Sequence, residues 1–326
     1  MNSTEENLQK ITDRVKLIQD AISRVIVGHE DVIEGVLISL ISGGHVLLEG
    51  VPGLGKTTLL RTLGDVMHMG YSRIQFTPDL MPADIVGSVV LDNDTTGNKK
   101  LRFEPGPIFS NLVLADEINR APPRTQSALL EAMQERTVTS GTTTYPLEEP
   151  FLVMATQNPL EMEGTYPLPE AQLDRFLMKI LVTYPNKSEL MEIVARTTSP
   201  EKPKIEHVVD RKEILEIKSA ASNVLVAPHV QDFAIRLVLA TQPENEHGHQ
   251  SAKRYIRYGS SPRGAQALIQ SARVRALMRS RLNISVEDIR VLSLSALRHR
   301  IILNFDAHAE GKTPDNVLQE ILESLS

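Results

Sequence analysis

The sequence predicts an α/β core built on a parallel sheet, followed by a second, helical domain. Three observations carry this expectation. The run Gly50-Val51-Pro52-Gly53-Leu54-Gly55-Lys56-Thr57 is a complete phosphate-binding loop, with an apolar strand candidate, His45-Val46-Leu47-Leu48, before it and a helix candidate, Lys56 to Met67, after it. Short, continuously apolar runs, the kind buried on both faces of a parallel sheet, recur at Leu112-Val113-Leu114-Ala115, Phe151 to Ala155 and Phe176 to Val182. After Pro185 the strand signals stop and helical periodicity takes over.

The elements follow in order. Ser3 and Glu6 form a capping box ahead of Leu8, Ile11, Val15, Ile18, Ile22 and Val25, which recur at helical spacing. Val27-Gly28-His29 breaks that helix, and a second runs from Glu30 to Ile41. Tyr71 to Phe76 reads as a strand, and Pro122-Pro123 opens a helix that ends near Glu135. Two hairpins interrupt the alternation. Val89 to Asp92 and Lys100 to Phe103 flank a turn rich in Asn, Asp, Thr and Gly; Thr137 to Thr139 and Thr142 to Tyr145 flank Ser140-Gly141. Their inserts span about 86–106 and 136–148 of a core expected over residues 1–185. Helical segments then cover Leu190 to Val194, Ile214 to Val224, Val230 to Leu239, Ala265 to Met278 and Val286 to Leu297, within a second domain over 186–326. Ser199-Pro200-Glu201-Lys202-Pro203 reads as a loop between the first two.

Composition excludes several classes. There is no cysteine, so disulfides, thiol catalysis and cysteine-bound zinc are out. A net charge of −6 argues against a dedicated nucleic-acid binder, which needs clustered Lys and Arg to neutralise phosphates. The first residues are polar and acidic, unlike a secretory signal. The apolar stretch Val32 to Leu48 carries Glu34, His45 and Gly43-Gly44, which suits helix, turn and strand better than a membrane span. A cytoplasmic protein with no membrane insertion is the expectation.

The loop predicts nucleoside triphosphate binding. Its glycines let successive backbone N–H groups turn inward onto phosphate oxygens, and the helix that opens at Lys56 adds its positive N-terminal end. Lys56 is expected to reach the β- and γ-phosphates and Thr57 to ligate Mg²⁺, with Thr58 completing the phosphate site. A match to this pattern by chance, in a chain this long, has odds of about one in a hundred at average composition.

Asp116-Glu117, at the end of the apolar run 112–115, separates hydrolysis from simple phosphate transfer. Asp116 is placed to orient Mg²⁺ through its water shell, and a second carboxylate, Glu117, to polarise an attacking water. Asn158, at the tip of the run 151–155, is placed to hydrogen-bond the γ-phosphate and that water; a plain Asn158-Pro159 turn is the alternative.

At this point the chain resembles the AAA+ ATPases, and in detail the MoxR family. Gly50 to Thr57 resembles their Walker A, Leu112 to Glu117 their Walker B, Ala155 to Pro159 sensor 1 and Ser261 to Ala265 sensor 2. Asp116 to Ala121 and Gly164 to Phe176 carry MoxR-like wording. The resemblance implies a P-loop NTPase core with inserted β-hairpins and a C-terminal all-α lid, binding ATP and Mg²⁺. It also implies a ring, most naturally a hexamer, that remodels or matures a client protein, with von Willebrand factor A domain proteins as one candidate class. By similarity the two hairpins line the ring's central face, and Arg175 is the finger supplied to a neighbour, with Arg120 and Arg124 as rivals. Arg263 reaches the phosphates from within its own subunit, and Val27-Gly28 packs on adenine. The alternatives are a nucleic-acid-stimulated motor and a magnesium-chelatase-like subunit. Glu246-His247-Gly248-His249 is weak as a metal site, because two imidazoles lack a fixed third ligand. Lys253 to Tyr258, basic with interleaved aromatics, fits a subunit interface better than nucleic acid.

Overall fold

A computed structural model describes residues 3–51, 53–93, 99–159, 164–199 and 205–325. Two helices open the chain, α1 (Ser3–Ser23) and α2 (Glu30–Ser42). Between them Gly28 and His29 take positive φ, which ends one helix and re-aims the next. Strand β1 (Val46–Glu49) leads through the glycine-rich loop into α3 (Lys56–Val66), and β2 (Tyr71–Gln75) and α4 (Pro82–Val86) follow. The first inserted hairpin is β3 (Gly87–Asn93) with β4 (Lys99–Pro105). Strand β5 (Leu112–Asp116) and α5 (Pro123–Glu135) precede the second, β6 (Thr137–Ser140) with β7 (Thr143–Pro146). Strand β8 (Leu152–Gln157), α6 (Glu170–Leu173) and β9 (Met178–Leu181) complete the core.

The five core strands form one parallel sheet in the order β2-β5-β8-β1-β9. Both faces are covered, which is why the central strands read as unbroken apolar runs rather than alternations. Val46, Leu48, Leu112, Leu114, Leu152 and Met154 point into a layer shared with α1, α2 and α3. Their neighbours Leu47, Val113, Ala115, Val153 and Ala155 point the other way, onto Leu129, Leu130 and Met133 of α5.

The lid is built from α7 (Lys187–Thr198), α8 (Arg211–Ser222), α9 (Pro228–Ala240), α10 (Gln250–Tyr255), α11 (Pro262–Met278), α12 (Val286–Leu297), α13 (Phe305–Ala309) and α14 (Pro314–Ser324). Its apolar residues, among them Ile214, Ile217, Leu268, Leu277 and Leu297, belong to the same continuous cluster as α1 and α2. The lid thus closes over one face of the sheet without a separate core.

One expectation is corrected. The lid is not purely helical: β10 (Ile256–Tyr258) and β11 (Ile302–Leu303) pair antiparallel within it. Strands of three and two residues are too short to carry a period, so the pattern of side chains gave no sign of them. The Pro200 to Pro203 part of the predicted loop, and Asp94 to Asn98 at the turn of the first hairpin, lie outside the described residues.

Candidate active site

Gly50, Gly53 and Gly55 lie at the C-terminal ends of β1, β8 and β5, on one cleft with Asp116, Thr156 and Asn158. Gly53 and Gly55 have φ of +85° and +78°, and a Cβ at either would meet nothing within 4 Å. Their constraint is therefore conformational: the turn needs positive φ, which glycine takes without strain. Gly50 is glycine for a different reason, since a Cβ there would lie 2.6 Å from the Val182 carbonyl oxygen. Pro52 lies outside the described residues.

Below the loop is a cleft of about 370 Å³ lined by Gly50, Gly53, Gly55, Lys56, Thr57, Thr58, Arg73, Gln75, Asp116, Glu117, Thr156 and Asn158. Its size is that of a small-molecule site. Lys56 is half-buried, and Nζ donates to the Gly50 carbonyl at 2.7 Å. Burial lowers the ammonium's pKa, opposed by the nearby Asp116, Glu117 and Glu49 carboxylates. Mg²⁺ takes hard oxygen donors, usually one or two carboxylates with substrate phosphates. The Thr57 hydroxyl and the Asp116 carboxylate, on one cleft beside open glycine backbone, fit that donor set.

Strand pairing brings the carboxylates together with β8. Thr156 Oγ1 donates to Asp116 Oδ1 at 2.7 Å and accepts the Glu117 backbone N–H at 2.8 Å. Glu117 sits at φ 57°, ψ 52°, in the left-handed region, so the chain turns sharply as it leaves β5. Its Oε2 accepts from Gln75 Nε2 at 3.0 Å and from Arg120 Nη1 at 2.9 Å. Asp116 Oδ2 accepts from Arg73 Nη2 at 2.7 Å and Nε at 3.1 Å. Asn158 is buried against the same cleft.

Arg73, Gln75 and Thr156 also line this cleft, and sequence reasoning passed over them. Arg73 and Gln75 stand two apart on the edge strand β2 and so share a face. Two long polar side chains on one face of a strand beside an acidic strand tip were the available signal.

Other expected residues lie elsewhere. Val27 is buried, and Gly28 abuts Glu189 of α7; neither lines this cleft. Val51 is half-buried, and Leu54 packs on the edge of the main core. Arg175 and Arg263 share a second cleft, of about 400 Å³, with His45, Arg136, Asp174 and Arg300. It opens at the opposite end of β1: His45 lines it, and Gly50 lines the first. Five residue steps along a strand separate their Cα atoms by about 16 Å. Arg263, expected to meet the phosphates of its own chain, lines this second cleft and not the first. Arg263 instead lies 3.6 Å from Asp174 Oδ2. Among the described residues no ion pair engages Arg175, while Arg120 is bound to Glu117 of its own cleft. In the His247 region, His249 Nδ1 accepts the Ser251 N–H at 3.2 Å and caps α10.

The geometry is matched by kinship. The family described as "ATPase family associated with various cellular activities (AAA)" matches residues 45–178, and that described as "AAA lid domain" matches 249–321. "Chaperone MoxR1" of Mycobacterium tuberculosis is 43% identical over 306 residues, covering 94% of this chain and 80% of that protein. "Protein MoxR" of Methylorubrum extorquens is 31% identical over 307 residues, covering 89% and 88%. A crystal structure from Cytophaga hutchinsonii, provisionally described as an ATPase, superposes with a TM-score of 0.92 at 43% identity, covering 98% of this chain and 97% of that one. No helix among the described residues is long and apolar enough to cross a membrane. With the phosphate loop, the paired carboxylates, the lid and these relatives in agreement, the chain belongs to the MoxR family of AAA ATPases.

Proposed function

We propose that this protein hydrolyses ATP to ADP and phosphate at sites shared between subunits of a ring, and uses the cycle to remodel a partner protein. The observation that carries this reading is the placing of its cations. Lys56 lies in the cleft with the carboxylates, whereas Arg175 and Arg263 line the other end of β1. A triphosphate held by one chain therefore draws those two guanidiniums from a neighbour.

Within the cleft each residue has a task. Backbone N–H groups of the loop and the start of α3 hold the phosphates, and Lys56 exchanges its bond to the Gly50 carbonyl for phosphate oxygens. Mg²⁺, when held by Thr57 and the Asp116 side, neutralises charge on the phosphates. Glu117 accepts a proton from the attacking water, and Asn158 orients that water. The neighbour's Arg175 stabilises charge that develops on the transferred phosphoryl group, and its Arg263 reports that contact to its own lid through α11.

The hairpins would carry the motion outward. Phe103 of β4 stacks on Tyr145 of β7 with ring centroids 4.3 Å apart, so the two inserts are joined. On β3 and β4, Val89, Leu91 and Leu101 are exposed along one face. An apolar face suits a protein client better than the basic surface a nucleic-acid motor requires. A von Willebrand factor A domain partner and a hexameric ring rest on the family resemblance alone, and a place in the cytoplasm on the composition of the chain.

The test is ATP turnover per subunit against protein concentration, with sedimentation of the same samples. Turnover should rise as the ring assembles. Constant turnover by a monomer would mean that one chain holds a complete site, and the shared-site mechanism would fall.

A further inference from the structure

We infer that Arg73 is a further nucleotide-site residue: a cation that neutralises Asp116 until Mg²⁺ takes over that carboxylate. This rests on reading the cleft as an ATP site.

The bonding at Asp116 is asymmetric. Oδ1 is held by Thr156, whose hydroxyl also fixes the Glu117 N–H, so that oxygen belongs to the frame of the site. Both bonds from Arg73 converge on the other oxygen, Oδ2. A guanidinium and a carboxylate pair most strongly as two parallel bonds to two oxygens, and this pair does not. The Arg73 side chain is also 49% exposed, against 18% for Asp116. The contact is therefore wet and readily exchanged.

Oδ2 is the Asp116 oxygen that Thr156 leaves open, and so the one that a hydrated divalent cation would approach. A divalent cation with its water shell and a guanidinium compete for that one carboxylate oxygen, and the two cations repel each other. Bound Mg²⁺ would thus displace Arg73 from Oδ2. Arg73 touches the second carboxylate as well, through one intermediary. Its Nη2 donates to Gln75 Oε1 at 2.6 Å, and Gln75 Nε2 donates to Glu117 Oε2 at 3.0 Å. Movement of Arg73 therefore frees Gln75, and with it one of the two described donors that hold Glu117.

The measurable consequence concerns ATP without metal. With Arg73 in place, metal-free ATP enters a cleft in which Asp116 is already neutralised. In Arg73→Gln it meets a bare carboxylate, whereas Mg²⁺·ATP brings its own neutralising charge. Calorimetric titration with ATP, in excess EDTA and in excess Mg²⁺, reads the two affinities directly. Arg73→Gln should raise the ratio of Kd without metal to Kd with metal by about tenfold, the scale of one hydrogen-bonded charge. Arg73→Lys, which keeps the charge, should leave that ratio within about threefold of the native value. An unchanged ratio in Arg73→Gln, with both affinities equally shifted or both intact, overturns the proposal while leaving the ATP site standing. If Arg73→Gln does not fold, Arg73→Lys decides: a ratio raised as far as about tenfold would show that charge is not what Arg73 supplies. No ATP binding by the native protein in either medium overturns both readings.

Discussion

Arg300, in the turn that follows α12, donates through Nε to Asp174 Oδ1 at 2.8 Å, and its Nη2 donates to the Phe176 carbonyl at 2.7 Å. The same Asp174 accepts from Ser261 Oγ on Oδ2 at 2.9 Å. One carboxylate thus ties the segment bearing Arg175 to the start of α11 and to the turn after α12. Because the Arg300 side chain is 3% exposed, its charge depends on this partner.

Asp174→Ala should therefore be costly, by about 3 kcal/mol, since it leaves a buried guanidinium unpaired. For a chain of this length that corresponds to a fall in Tm of roughly 5 °C. Differential scanning calorimetry checks it. A loss below about 1 kcal/mol would mean that the four backbone carbonyls around Arg300, of Asp174, Phe176, Leu177 and Ala296, suffice.

Thr156→Val keeps shape but removes a hydroxyl that serves both Asp116 and Glu117. The Glu117 N–H is left without its partner, a cost of about 1–3 kcal/mol. Turnover is expected to fall about tenfold, because the carboxylates lose their relative position, while ATP affinity changes little. Equal effects on kcat and on ATP affinity would argue that Thr156 only stabilises the loop.

Glu117→Gln should bind ATP and hydrolyse it far more slowly, since only the proton acceptor is removed. Mixed with Arg175→Ala, it should regain part of the activity, because a mixed ring contains interfaces with an intact cleft and an intact finger. Lack of rescue at every ratio would favour Arg124, or Arg120 after release from Glu117.

His45 sets an acid limit. It is buried, its Nδ1 accepts the Val153 N–H at 3.0 Å, and Nε2 consequently donates to the Met133 carbonyl at 3.1 Å. Burial lowers its pKa from 6.5 to about 4, helped by the charge of Arg136 and opposed by the Met133 bond. The unfolded chain then binds more protons than the folded one between those values. The stabilisation is complete above pH 6.5 and is lost on acidification toward pH 4, by about 3 kcal/mol. His299, whose pKa burial also pushes well below 6.5, acts in the same direction. Denaturant midpoints from pH 7 to pH 4 should show the fall, with a shallower slope for His45→Gln.

The sequence by itself determined the elements whose signals are local. A phosphate loop needs glycines at set positions, a helix start after it and an apolar strand before it, and all three lie within a few dozen residues. Buried strands and long helices announce themselves through apolar runs and period, which is why β1, β5, β8, α3, α5 and α11 were legible. The two inserted hairpins were legible for the same reason, from their turn chemistry. Tertiary structure alone decided relations between residues far apart in the chain. The strand order sets β2 beside β5 and so brings Arg73 onto Asp116, 43 positions away. The direction of β1 puts Gly50 and His45 at opposite ends, and with them the clefts of Lys56 and of Arg263. Side-chain reach is only a few ångströms, so which charges meet depends on the packing of strands that no local pattern specifies.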